Sequence, residues 1–157
     1  MPAGPQMKER RLARRIALDV LYDSEIRGRL PMESLEERRR AGWSLPEGDG
    51  DEDEALVEPS PETAAYAATL VEGIQERAAD IDSLIVEYVD RWAIQRMPVI
   101  DRNLLRIGVF ELLWEKDIPV AVVINEAVEL AKSLSTDDSG RFINGVLGRV
   151  AREQVGN

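Results

Sequence analysis

Apolar residues recur along this chain at the spacing of an α-helix, three or four positions apart, in each segment that has a clear pattern. The first such segment predicts a helix from about residue 8 to 28, with Leu12, Ile16 and Val20 on its apolar face. Pro31 then opens a short second helix. No stretch alternates apolar and polar residues as a strand does, so we predict an all-α fold of about seven helices.

The middle of the chain carries further helix-start signals. Ser60 followed by Pro61 predicts a helix with Ser60 as its N-cap residue and Pro61 at its first position. Asp80 is predicted to cap the next helix, whose apolar period continues to Trp92. Pro98 opens a helix that is apolar on most sides, and such a helix is expected at the centre of the fold.

Residues 118–150 predict two amphipathic helices joined by a polar turn that is rich in side chains able to cap a helix. Asp138 in that turn and Phe142 lie four positions apart, so a helix would place them on one face. A carboxylate beside an aromatic ring can accept hydrogen bonds from an unpaired base and stack on it. The simpler alternative, which periodicity alone favours, is an N-cap aspartate and a core phenylalanine.

The composition limits the chemistry that this chain can perform. Its 157 residues suit one domain or two small subdomains, and a hydrophobic content of 44% is enough for a packed interior. With no Cys and no His, a catalytic triad, a Cys–His pair and an ordinary zinc site are excluded, so we predict a non-enzyme without cofactor or metal. No apolar run of about 18 residues occurs, and we expect a cytoplasmic protein without membrane contact.

The net charge of −10 is unevenly distributed. Residues 47–58 hold seven acids and no base, whereas residues 8–15 hold five bases and one acid. On a helical wheel the side opposite the apolar face carries Arg10, Arg11, Arg14 and Arg15. Tyr22 falls among them, and arginines with an aromatic ring can hold phosphates and stack a base. An ordinary solvated basic face is an equally good interpretation of this pattern alone.

Two motifs, in this order, resemble the bacterial transcription antitermination factors of the NusB family. They are RRLARRIALDVLY at 10–22 and INEAVELAKSLSTDDSGRFINGVL at 124–147. The resemblance implies two packed helical bundles, 1–80 and 81–157. It also implies binding of the single-stranded boxA element of nascent ribosomal RNA leader transcripts, together with the small-subunit ribosomal protein NusE. That pair would take part in the antitermination complex on RNA polymerase.

The resemblance also implies roles for individual residues. RNA contacts are expected from Arg10, Arg11, Arg14, Asp138, Arg141 and Phe142. Tyr88 matches a family tyrosine and is a further RNA candidate, although its spacing equally fits the core. Asp101 and Tyr22 match positions that belong to the NusE contact surface. The alternative role for Asp101 is a favourable interaction with the N-terminus of its own helix.

Two other functions remain possible, and the role of one segment is open. The chain could be the RNA-binding module of a ribosomal RNA cytosine methyltransferase, but it lacks that enzyme's Gly-rich cofactor motif and catalytic cysteines. It could also be a purely protein-binding helical domain that forms a homodimer. The acidic segment 47–58, within a predicted loop at 42–60, departs from the family pattern. It is either an inert linker or a competitor of RNA for the basic first helix.

Overall fold

The computed structural model describes residues 7–43, 58–89 and 94–156. These ranges contain seven α-helices and no strand, which confirms the predicted all-α fold. The helices are α1 (Met7–Arg27), α2 (Pro31–Arg40), α3 (Pro61–Glu76), α4 (Ala78–Tyr88), α5 (Val99–Trp114), α6 (Val120–Leu134) and α7 (Asp137–Val150). A 3-10 turn, Ile94–Arg96, precedes α5, and a π-helical turn, Ala151–Val155, follows α7. None of the helices in the described ranges combines the length and the apolar character needed to cross a membrane.

The chain forms two compact units, Met1–Gln75 and Glu76–Asn157. Most of the acidic segment 47–58, and Trp92 at the predicted end of the fourth helix, lie outside the described residues. In the first unit, α1 packs against α2, and Ala13, Ala17 and Leu35 are fully buried. The side-chain oxygen of Gln75 on α3 accepts a hydrogen bond from the Met32 backbone N–H at 2.8 Å, which joins α3 to α2.

The start of α3 is the one that the sequence predicted. Ser60 Oγ accepts a hydrogen bond from the Thr63 backbone N–H at 3.1 Å, as an N-cap residue does. The prediction that Asp80 caps the next helix is wrong. Helix α4 begins at Ala78, and Asp80 lies in its first turn, where a carboxylate interacts favourably with the positive end of the helix dipole.

The cap at Ser60 makes a first prediction. Ser60→Ala removes the acceptor for an N–H group at the start of α3, so the free energy of unfolding is expected to fall by about 0.5–2 kcal/mol. Ser60→Asp supplies a carboxylate acceptor and should retain most of that stability. Urea unfolding followed by circular dichroism measures both variants. Equal midpoints for Ser60→Ala and the parent would show that the cap contributes nothing.

Helix α5 is central within the second unit. It packs against α4, α6 and α7, and its buried residues include Leu104, Leu105 and Ile107. An apolar surface on nearly every side is what a helix contacted from several directions requires. The prediction of a central position for this helix is confirmed within its own unit.

Helix α5 approaches α7 closely at a glycine. A Cβ atom placed on Gly108 would lie 2.6 Å from Leu147 Cδ1 of α7 and 3.3 Å from Leu147 Cγ. Leu147 is fully buried, so its side chain has little room to move away. A Cβ atom placed on Gly145, by contrast, would have nothing within 4 Å, so packing does not require the small residue there.

Candidate functional site

The polar turn before α7 is built by Thr136. Its side-chain oxygen accepts a hydrogen bond from the Ser139 backbone N–H at 3.0 Å, and α7 begins at the next residue, Asp137. Asp138 is therefore the second residue of the helix and does not cap it, so the interpretation of Asp138 as an N-cap is wrong. A carboxylate in the first turn of a helix is still favoured by the dipole.

Asp138 and Arg141 point into solvent one helical turn apart. Their side chains are 85% and 77% exposed and form an ion pair with each other. Such a pair between solvated groups contributes little to stability. Phe142 follows in the same helix, and its exposure is intermediate between that of a core residue and that of a surface residue. The structure thus brings an exposed carboxylate, an exposed guanidinium and a partly exposed ring together on the first two turns of α7.

Asp101 is held inside the second unit, in contrast to that exposed pair. It lies in the first turn of α5, is 2% exposed, and accepts a hydrogen bond from Ser139 Oγ at 2.8 Å. Asp101 thus lies where its carboxylate interacts favourably with the N-terminus of its own helix, which is the alternative role given above. It also connects α5 to α7. Its contact with a partner protein stays a prediction.

Tyr88 is a buried residue of the second unit. The Arg149 guanidinium lies over its ring at 5.4 Å, and Gln154 Nε2 donates a hydrogen bond to its hydroxyl at 2.9 Å. The bond from Gln154 lowers the pKa of this hydroxyl. Loss of water and the carboxylates of Glu153 and Glu87 outweigh it, so the pKa lies above its usual value. Of the two interpretations of Tyr88, the structure favours the core residue, and base stacking on it stays a prediction.

The arginines of α1 differ in their surroundings. Arg11 is exposed, and Arg10 is half-buried with its guanidinium 5.4 Å from the centre of the Tyr66 ring of α3. The prediction that Arg14 lies on a solvated face is wrong, because Arg14 is 2% exposed. The prediction from the helical wheel assumed that only the apolar face of α1 is buried. In the structure, buried residues extend around the helix beyond that face.

Arg15 adds little to the basic surface. It is half-buried and lies 3.6 Å from the carboxylate of Asp19, one turn along α1. Burial raises the pKa of Asp19 above its usual value, although the charges of Arg15 and Arg38 oppose that shift. The charge of Arg15 is thus balanced within its own helix. Near the start of α1, the cations with access to solvent are Lys8, Arg10 and Arg11, of which Arg10 is half-buried.

The C-terminal part of α1 exposes apolar side chains that the sequence reasoning mostly missed. Tyr22 is 44% exposed, and Ile26, one turn further, is also exposed, as is Leu30 directly before α2. The signal was the four-residue spacing of Tyr22 and Ile26 away from the core stripe. Neighbouring exposed apolar side chains are typical of surfaces that bind other proteins.

The family of this chain follows from a match over most of its length. The NusB family model matches residues 11–152, which include most of α1 and all of α7. The chain belongs to the NusB family. It is 48% identical to the transcription antitermination protein NusB of Salinispora tropica, over 92% of this chain and 96% of that protein. It is 42% identical to the NusB of a Nocardioides species, over 94% and 97% of the two chains.

Solved structures of NusB proteins have the same fold. The structure of T. maritima NusB matches with a TM-score of 0.76 and 36% identity, over 92% of this chain and 91% of that one. A second structure contains the antitermination factors NusB and NusE in complex with dsRNA, and a chain of it matches with a TM-score of 0.74 and 29% identity. That match covers 94% of this chain and 98% of the other. The helices of this chain therefore form the NusB fold.

Proposed function

We propose that this chain is a transcription antitermination factor that binds single-stranded boxA RNA together with a NusE-type small-subunit ribosomal protein. The observation that carries the proposal is membership of the NusB family across residues 11–152. The pair would hold boxA in the nascent ribosomal RNA leader and help to assemble the antitermination complex on RNA polymerase. The chain acts by assembly and is not an enzyme, and we place its action in the cytoplasm, where bacterial transcription takes place.

We assign the reading of bases to the exposed residues at the start of α7. Unpaired bases are recognised by hydrogen bonds to their edges and by stacking on aromatic rings. Asp138 supplies an acceptor, Arg141 supplies donors, and Phe142 supplies a partly exposed ring. All three groups lie within two turns of one helix, so a single nucleotide or two adjacent ones can reach them together.

We assign phosphate binding to Arg10 and Arg11 at the start of α1. Guanidinium groups bind phosphate oxygens through paired N–H donors, and both side chains have access to solvent. Arg14 is buried, so it is not proposed as a direct phosphate contact. Tyr22, with the exposed Ile26 beside it, is proposed as the contact for the NusE-type protein.

Removal of the two phosphate contacts should change the salt dependence of RNA binding. Arg10→Ala plus Arg11→Ala is expected to reduce the slope of log K against log salt by about 1.4, since each phosphate contact on a single strand contributes about 0.7. The matched control is Arg27→Ala plus Arg39→Ala, which removes the same charge from exposed positions of the first unit. If both double variants change the slope equally, Arg10 and Arg11 have no specific part in phosphate binding.

The proposed function itself is tested by RNA titration of the full chain. A boxA-like RNA and a scrambled RNA of the same composition are each titrated, with and without the NusE-type protein. We expect tighter binding to boxA than to the scrambled RNA, and the largest difference in the presence of the partner. Equal affinities for the two RNAs under both conditions would overturn the proposal.

A further inference from the structure

We propose that Asp101 and Ser139 are positioning residues that hold the RNA-reading turn of α7 in place. The buried carboxylate of Asp101 fixes the hydroxyl of Ser139, and Ser139 is the direct neighbour of Asp138 in the chain. The inference rests on the proposed RNA-binding function of this turn. It assigns an indirect part in RNA recognition to two buried residues that do not contact the RNA themselves.

Among the described residues, the hydroxyl of Ser139 has three polar neighbours within hydrogen-bond distance. It lies 2.8 Å from Asp101 Oδ2, 3.0 Å from Ser135 Oγ and 3.1 Å from Thr136 Oγ1. A hydroxyl has one proton to donate and two lone pairs that accept. Ser139 donates its one proton to Asp101 Oδ2. Both other hydroxyls must then donate to Ser139, and the bonding capacity of this oxygen is filled.

This direction of the hydrogen bonds also serves the helix cap. Thr136 directs its own proton to Ser139 Oγ, which leaves a lone pair of Thr136 for the Ser139 backbone N–H at 3.0 Å. The carboxylate of Asp101, as acceptor for Ser139, therefore orders three hydroxyls in a way that agrees with the bond that starts α7. Asp101 and Ser139 are 2% and 7% exposed, and hydrogen bonds are strengthened where water is excluded.

The position of Asp101 suits this role. It lies in the first turn of α5 and bonds to a residue in the first turn of α7, and the positive end of each helix dipole favours a carboxylate there. Its second oxygen, Oδ1, is buried without a hydrogen-bond partner among the described residues. The bond from Ser139 therefore holds this carboxylate, and the carboxylate in turn determines where the first turn of α7 lies.

The test measures discrimination, defined as the ratio of affinities for boxA and scrambled RNA, with the NusE-type protein at saturating concentration. Ser139→Ala removes the central hydroxyl and should reduce this ratio roughly fivefold or more, as expected for loss of a buried hydrogen bond. Asp101→Asn keeps the shape but offers an amide that also donates, so the direction of the bonds is no longer set. It should reduce the ratio similarly, while binding to scrambled RNA changes less.

A matched control and a conservative pair separate positioning from general loss of stability. Ser24→Ala also removes a buried hydroxyl, one that bonds to the Leu21 carbonyl within α1 at 2.8 Å, and should keep the parental ratio. Thr136→Ser keeps a hydroxyl and should keep the ratio, whereas the similarly shaped Thr136→Val should lower it. The Thr136 pair decides the question if Asp101→Asn does not fold, because Thr136 is exposed.

The outcomes for the two proposals are distinguishable. A parent protein that does not discriminate boxA from scrambled RNA would overturn the proposed function. A parent that discriminates, with Ser139→Ala and Thr136→Val retaining its ratio, would overturn the positioning role alone. An equal loss of discrimination in Ser24→Ala would also overturn it, since the effect would then follow from any lost buried hydroxyl.

Discussion

Leu147→Ala is expected to lower the free energy of unfolding by about 2–5 kcal/mol, the typical cost of a leucine truncated in a core. Leu147 is fully buried in α7, and its side chain fills the space over Gly108 of α5. Denaturant unfolding gives the value, and Val86→Ala is the control. Val86 is an exposed aliphatic residue of α4, so its truncation should change stability by no more than about 0.5 kcal/mol.

The contact between these helices also predicts the sign of an interaction between two substitutions. Gly108→Ala in the parent places a Cβ atom 2.6 Å from Leu147 Cδ1, and such overpacking typically costs about 1–3 kcal/mol. In the Leu147→Ala background the same Cβ enters vacated space and should recover part of the lost stability. A double-mutant cycle measures this coupling. Additive effects would mean that the two side chains do not compete for one space.

Phe142→Ala is expected to weaken binding to boxA RNA by about 1–3 kcal/mol, or roughly 5- to 150-fold, because a stacking ring is lost. The ring is only half-buried, so the loss of stability should stay below the roughly 3–5 kcal/mol typical of a fully buried phenylalanine. Titration with RNA and thermal unfolding are measured on the same preparation.

Phe142→Leu is the matched control for that prediction. Leucine keeps most of the apolar contact with the protein but cannot stack on a base, so stability should be near parental and RNA binding should still be weakened. Asp138→Asn adds a donor to an exposed position and should change which base is preferred without loss of the fold. If Phe142→Leu binds boxA as the parent does, Phe142 contributes packing only.

Local sequence signals predicted the helices and grouped the exposed residues of the candidate site. The helical period placed α1 within one residue of its observed start and end, and the Ser-Pro pair at 60–61 located the start of α3. Asp138, Arg141 and Phe142 are brought together by the geometry of one helix, so their spacing in the sequence was sufficient to group them.

Features that depend on packing between helices were not predicted. The burial of Arg14 depends on how much of α1 is covered, which a helical wheel does not contain. The hydrogen bond from Ser139 to Asp101 joins residues 38 positions apart. The close approach at Gly108 depends on the distance between α5 and α7. No single segment carries a signal for any of these.

The filled hydroxyl of Ser139 has a consequence for how this protein can diversify. A side chain at this position must donate one hydrogen bond, accept two, and be small enough to stay buried, since Ser139 is only 7% exposed. Serine meets all three conditions. Positions 138 and 141 have no such restriction, since their side chains extend into water. The turn thus combines a buried position where few residues are acceptable, 139, with two exposed positions where many are, 138 and 141. If positions 138 and 141 read bases as proposed, substitutions there are expected to change the preferred RNA sequence without a change in the fold beneath them.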